Sequence, residues 1–329
     1  MKRKVQKTFR REFTQVQFVL ANAKKVLLVA HSKPDPDAVG SVVALKLYIE
    51  KNYDCKVVIG CFDAYPSYLS QVLGAYTFLD PAHPDTAIET YDVAIGCDSV
   101  DRGFDQVIPM LHSQCVTIIF DHHHDISLQS DISAIDPLYA STTELLYQFF
   151  LFDKGSLDQT IATALLTGII GDTGIFQHAN TSHRVLEASA NLVRHGASVG
   201  RIVQGAFANQ KIATLNLWGR ALDRAKYFEE SGIVTTALTA ADTANGQPTS
   251  EEVKEVATIL TNAPSVKAAI IIFQTSSEMI KASLRAHKDA SIDVSAIAHT
   301  FGGGGHPLAA GFEIPGRITI LPDGNWKVI

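Results

Sequence analysis

Excess positive charge, paired cysteines and long apolar runs are all missing from this sequence. Lys and Arg number 28 against 34 Asp and Glu, a net charge of −6, so no chain-wide basic field holds long duplex nucleic acid by counterion release. An anionic substrate must therefore meet local positive charge, from metal ions or a few placed Arg and His, which points to small or short phosphorylated substrates. The four cysteines (Cys55, Cys61, Cys97, Cys115) form no Cys-x-x-Cys pair, which removes zinc-ribbon and thioredoxin-like readings. Three of them sit in or beside apolar runs, where a free Cys acts as a small buried hydrophobe. No apolar run approaches the roughly 20 residues that cross a bilayer. Met1-Lys2-Arg3-Lys4 is basic, but polar residues follow where a signal peptide needs an apolar core. The expectation is a cytoplasmic protein with no membrane association.

What is present is globular. The 329 residues are 46% hydrophobic and 19% charged, enough for two domains with separate cores. In the first half, short apolar runs alternate with helical patterns, as in a parallel sheet with crossover helices. Residues 26–30, 92–96 and 116–120 read as buried strands, and 38–51, 143–150 and 157–170 as helices. Residues 191–214 read as a helical linker. Beyond it, 228–238 reads as a strand or hairpin arm around Ser231-Gly232, and a helix begins near Ser250, where Thr249 and Glu252 have capping-box spacing. Residues 268–274 and 279–286 read as paired strands, and 292–300 as a short helix that ends at Gly302-Gly303-Gly304-Gly305-His306.

The first predicted strand runs into His31, the second is followed by Asp98, and the third runs into Asp121-His122. Ligand-type residues thus arrive at the carboxyl ends of three strands, the edge on which open α/β sheets build their sites. His31-x-x-x-Asp35-x-Asp37 lies in a loop stiffened by Pro34 and Pro36. Its aspartates can serve two metals about 3.5–4 Å apart, or cap the next helix. Asp98 and Asp172 read individually as turn or cap residues, and His122-His123-His124 as an exposed cluster. Four such motifs ending buried elements on one edge are harder to explain singly.

HSKPDPDAVGS (31–41), the Asp of GCDSVDR (96–102), DHHH (121–124) and GDTG (171–174) resemble, in order and spacing, the signature motifs of the DHH phosphoesterase superfamily. SLRAH (283–287) and FGGGGHPLAAGF (301–312) resemble the DHH-associated C-terminal domain, and ASTTELLY (140–147) the bacterial oligoribonuclease/pAp phosphatase type. The resemblance implies an α/β fold: a parallel-sheet DHH domain over 1–190, the linker over 191–214, and a smaller α/β substrate-binding domain over 215–329, with the active site in the cleft between domains. It implies one metal on His31, Asp35 and Asp98 and a second on Asp37, Asp98, His122 and Asp172, with Asp98 bridging. Asp98 and His123 would be catalytic, His123 as general acid or phosphate contact, and Asp121 would orient a ligand. His124 falls outside the triplet, and the charge at His124-Asp125 departs from the commoner pattern. Mixed imidazole and carboxylate donors suit Mn²⁺, two per chain, with Mg²⁺ or Co²⁺ as substitutes.

The glycine run can be a plain turn or a backbone surface that a phosphate approaches closely. With Arg285 and His306, Gly302, Gly303, Gly304 and Gly305 then form a clamp for a terminal phosphate. Arg102 and Ser141 to Thr143 are weaker candidates for substrate contact, the latter reading equally as helix caps. The expected activity is hydrolysis of short oligoribonucleotides to mononucleotides and of pAp (3′-phosphoadenosine 5′-phosphate) to AMP. The alternatives are a phosphodiesterase for cyclic or linear dinucleotides, a RecJ-like single-strand exonuclease and a catalytically degenerate nucleotide-binding module. A homodimer is left open.

Overall fold

The computed structural model describes residues 8–124, 126–178, 180–207, 212–242, 250–287, 291–322 and 325–329, with the backbone alone for 85, 89, 101, 207, 250, 251, 252, 254 and 255. The chain divides into two compact units, Met1–Asn209 and Gln210–Ile329. The stretch 191–214, expected as a linker, is shared between them.

The first unit contains α1 (Arg10–Asn22), β1 (Lys25–Val29), α2 (Pro36–Asn52), β2 (Lys56–Gly60), the one-turn helix α3 (Ser70–Leu73), β3 (Val93–Cys97), the short α4 (Asp105–Val107), β4 (Val116–Asp121), β5 (Ile132–Ile135), α5 (Thr142–Asp153), α6 (Gln159–Asp172), α7 (His183–Arg194) and α8 (Val199–Ile202). Its five strands are all parallel, in the order β2-β1-β3-β4-β5. Strand residues alternate between two cores. Val26 and Leu28 join α1, α2, α5 and α6 on one face, while Leu27 and Val29 join Val100, Phe104 and Val107 on the other. Covering both faces makes β1, β3 and β4 continuous apolar runs. The strand order reverses between β1 and β3, and open α/β sheets place ligands at the carboxyl ends of strands at such a switch point.

Two helix starts and one helix crossing shape that edge. Asp35 caps α2, accepting from the N–H groups of Asp37 (3.0 Å) and Ala38 (3.1 Å), with Pro36 in the first turn, where its missing N–H costs nothing. Ser141 caps α5 by accepting from the Glu144 N–H, and Glu144 accepts in return from the Ala140 N–H, just before the cap. Where α2 crosses α6, a Cβ on Gly40 would come within 2.6 Å of the Ala164 carbonyl oxygen. The glycine is what lets the helices approach that closely.

The second unit contains α9 (Ile212–Asp223), β6 (Lys226–Phe228), β7 (Ile233–Leu238), α10 (Ser250–Thr261), β8 (Ala268–Gln274), β9 (Met279–Ala286), α11 (Val294–Thr300), β10 (Gly304–His306), β11 (Ala309–Pro315), β12 (Ile318–Ile320) and β13 (Trp326–Val328). Its mixed sheet runs β10-β11-β9-β8-β7-β6, with only β7 and β8 parallel. Val253, Val256 and Ala257 of α10 pack with Ala269, Ile271 and Phe273 of β8. Val294 and Ala298 of α11 pack with Ala282, Leu284 and Phe312. The expected hairpin around Ser231-Gly232 is β6–β7. Thr249 of the expected capping box lies outside the described residues. Among the described residues no helix is long and apolar enough to cross a membrane.

Candidate metal centre

Each acidic or imidazole group of the first unit's site stands at or next to the end of an element, most where one stops and Asp35 and Asp37 where α2 starts. His31 follows β1 and is 1% exposed. Its Nδ1–H donates to the Ser32 carbonyl oxygen at 2.8 Å. That bond leaves Nε2 pointing inward, 3.5 Å from Asp35 and 3.6 Å from Asp98. Nε2 is buried and has no hydrogen-bond partner. Burial works to lower the His31 pKa, but Asp35 and the Ser32 carbonyl outweigh it and raise it.

Asp98 follows β3 with φ +56°, a left-handed conformation that non-glycine residues rarely hold. The turn brings its carboxylate, 3% exposed, within 3.6 Å of His122 and 3.3 Å of His123. His122, after β4, reaches Asp172 at 3.0 Å and Asp37 at 3.9 Å. Asp37 is fully buried in the first turn of α2, and Asp172 is the last residue of α6. Three donor groups result, each with ligand atoms within 4.8 Å of one another: His31–Asp35–Asp98, Asp37–His122–Asp172 and Asp98–His122–His123. All six residues expected as ligands are thus brought together, and Asp98 belongs to two of the groups.

The charge balance favours a cation. Burial, then Asp172 and Asp98, push the Asp37 carboxyl well above its ordinary range; burial also raises Asp98. Burial works to lower the His122 pKa, but Asp172, Asp37 and Asp98 together outweigh it and lift it to about 9. A cluster that raises Asp37, Asp98 and its imidazoles together is short of positive charge at its centre. With an orphaned imidazole nitrogen aimed between two carboxylates, the residues fit divalent cations held by mixed nitrogen and oxygen donors.

Asp121, the last residue of β4, is buried and accepts at one oxygen from both the backbone N–H and Nδ1–H of His123, each at 2.8 Å. Those bonds, first Asp121 and then Asp98, lift the His123 pKa to about 10. The ring itself is half-exposed. A recess of about 110 Å³ beside His123 and Asp98 has Arg102, His124 and Ile126 in its walls. His124 is exposed, and Asp125 lies outside the described residues.

Two residues read from the sequence as caps or weak substrate contacts have another role. Thr142 and Thr143 are completely buried and so meet no substrate. The Thr142 N–H donates to Asp37 at 2.7 Å, and the Thr143 N–H and hydroxyl donate to it at 3.0 and 2.6 Å. The Thr142 hydroxyl donates to Asp98 at 3.1 Å. The polarity of S-T-T just before an apolar helix was the available signal.

In the second unit, His306 and Arg285 both pair with Ala309, from β10 and β9, and so share one face of the sheet. His306 is exposed and Arg285 half-buried. Three of the four glycines are demanded by the fold, Gly302 by its φ of +75°. A Cβ on Gly303 would run into the Gly311 carbonyl, and Gly305 holds φ +144° with no room beside the Ala309 carbonyl.

Comparison with known proteins agrees with this architecture. Residues 25–169 match the DHH family, N-terminal domain, and residues 233–321 the DHHA1 domain. The bifunctional oligoribonuclease and PAP phosphatase NrnA of Bacillus subtilis is 26% identical over 296 residues, 88% of this chain and 89% of that protein. The protein of that name from Thermus thermophilus is 26% identical over 293 residues, 88% and 84% of the two chains. The crystal structure of an exopolyphosphatase-related protein from Bacteroides fragilis superposes with a TM-score of 0.80 at 22% identity, over 93% of this chain and 91% of that one, and shares the fold. The chain thus carries a DHH family N-terminal domain in its first unit and a DHHA1 domain in its second, the domain pair of DHH phosphoesterases.

Proposed function

We propose that the chain hydrolyses short oligoribonucleotides to mononucleotides and dephosphorylates pAp to AMP. The observation that carries this reading is the likeness to B. subtilis NrnA, which runs through both units and covers nearly nine-tenths of each chain. In this reading His31, Asp35 and Asp98 hold one cation, and Asp37, Asp98, His122 and Asp172 hold the other. Two divalent cations bound there would neutralise the phosphoester anion and make a water acidic enough to become the nucleophile. Mn²⁺ belongs to the same proposal, because each donor group mixes imidazole with carboxylate; so does a cytoplasmic location.

The chain's own residues supply the rest. Asp121 holds His123 protonated and fixes Nδ1, which frees Nε2–H to protonate the departing alkoxide. Arg285 and His306, in one row of the second sheet, bind a terminal phosphate, the guanidinium through paired N–H groups. The test is a side-by-side turnover comparison with Mn²⁺ on pAp, pApA, cyclic di-AMP and a 24-mer RNA. Preference for pAp and pApA is expected. Faster turnover of cyclic di-AMP would shift the assignment to a cyclic dinucleotide phosphodiesterase, and faster turnover of the 24-mer to a processive exonuclease.

A further inference from the structure

Ser141, Thr142, Thr143 and Glu144 form a completely buried polar block at the first turn of α5. Burying hydroxyls and a carboxylate is costly unless each finds a partner, and here the partners are arranged in a directed chain. The Glu144 N–H donates to the Ser141 hydroxyl oxygen at 3.0 Å. Ser141 and Thr143 share a hydroxyl–hydroxyl bond of 2.9 Å. The Thr143 hydroxyl donates its single proton to Asp37 at 2.6 Å, because an ionised carboxylate only accepts. The Ser141 hydroxyl must then be the donor to Thr143. With the two backbone N–H groups of Thr142 and Thr143, Asp37 receives three hydrogen bonds from one helix end, where the helix dipole also favours negative charge. The adjacent Thr142 hydroxyl reaches a different carboxylate, Asp98.

We infer that Thr142 and Thr143 are positioning residues that set the spacing of the two cation subsites, an inference that rests on the two-metal reading above. Thr143 grips Asp37, which belongs to the His122–Asp172 group, and Thr142 grips Asp98, which also belongs to the His31–Asp35 group. The two threonines are neighbours in one turn of a 12-residue helix. The two carboxylates, one on α2 and one in the turn after β3, are thereby tied to a single rigid element. Outer hydrogen-bond partners of this kind typically contribute about tenfold to hundredfold in metal affinity.

The test is Mn²⁺ titration of the full chain by calorimetry, with electron paramagnetic resonance at two equivalents to separate exchange-coupled ion pairs from isolated ions. Thr143→Val keeps the shape and both backbone donors but deletes the hydroxyl. About tenfold weaker binding of one ion is expected, with an isolated-ion signal at two equivalents. Thr142→Val is expected to weaken the coupling of the pair, because Asp98 is the shared carboxylate. Thr143→Ser and Thr142→Ser, which retain the donors, are expected to restore both affinity and the coupled signal. Their folding is checked by circular dichroism. Wild-type affinity and coupling in both valine variants would overturn the inference while leaving the two-metal reading intact. Failure of the unmodified chain to bind Mn²⁺ would overturn that reading and the inference with it.

Discussion

Gly168 gives the sharpest prediction, because a single added methyl group strikes the metal centre without touching any ligand's chemistry. It lies in the interior of α6, and a Cβ there would stand 2.5 Å from Asp37 Oδ1 and 2.5 Å from both Thr143 Oγ1 and Cγ2. Real contacts do not tolerate that separation, so the Asp37 carboxylate or the α5 turn must move. Overpacking a filled interior costs about 1–3 kcal/mol, and replacing a helical glycine by alanine returns about 1 kcal/mol. The net loss in stability is therefore about 0–2 kcal/mol, and the variant folds. Mn²⁺ affinity should fall further, about tenfold to hundredfold, as it does when a ligand's support is displaced. Gly219 provides the control. It is exposed in α9, with nothing within 4 Å of an added Cβ, so Gly219→Ala should gain about 1 kcal/mol and leave Mn²⁺ binding unchanged. Thermal melts of the metal-free chains and Mn²⁺ calorimetry read both quantities. A folded Gly168→Ala protein with unaltered Mn²⁺ affinity would refute the packing argument and the place given to Asp37.

Other outcomes follow from the same structure. Asp153 accepts from the Tyr48 and Tyr53 hydroxyls at 2.7 Å each and from Gln17 at 2.6 Å, stitching α1, α2 and α5 together. Asp153→Asn should cost about 1–3 kcal/mol in urea unfolding with kcat retained; loss of activity at unchanged stability would contradict it. Burial and then Asp153 raise both tyrosines far above the ordinary value of 10.0. Their contribution is therefore complete below about pH 10 and is lost as pH rises beyond it. Stability flat across that range would count against the network. Arg285→Gln and His306→Asn should each raise KM for pAp about tenfold to hundredfold, the weight of a charge-assisted hydrogen bond, with metal content unchanged. A parallel fall in bound metal would remove the phosphate clamp from the proposal.

Legibility in the sequence tracked burial. β1, β3 and β4 are inner strands covered on both faces, so they read as apolar runs ending abruptly in His31, Asp98 and Asp121. β2 and β5 are the sheet edges, with mixed burial over five and four residues, and β5 interleaves polar and apolar positions too briefly to stand out. Proximity of the ligand-type residues was legible because parallel strands share a carboxyl edge. Their division into groups was not, since it depends on the left-handed turn at Asp98 and on which carboxylate oxygen each imidazole meets. The grip of Thr142 and Thr143 on Asp37 spans more than a hundred positions in sequence, a pairing no local pattern encodes. The glycine run serves the fold whatever the site binds: Gly303 and Gly305 pass too close to β11 for a side chain, and Gly302 and Gly305 hold positive φ.

The most direct test of a two-metal phosphoesterase is the Mn²⁺ stoichiometry of the intact chain, measured alongside Asp98→Ala with pAp as substrate. Asp98 stands in both the His31 and the His122 groups, so its loss should disturb both ions at once. The expected result is two Mn²⁺ per intact chain with release of AMP and phosphate, and neither tight paired binding nor turnover in Asp98→Ala. An intact chain that binds no Mn²⁺, or an Asp98→Ala protein with full activity on pAp, would contradict it.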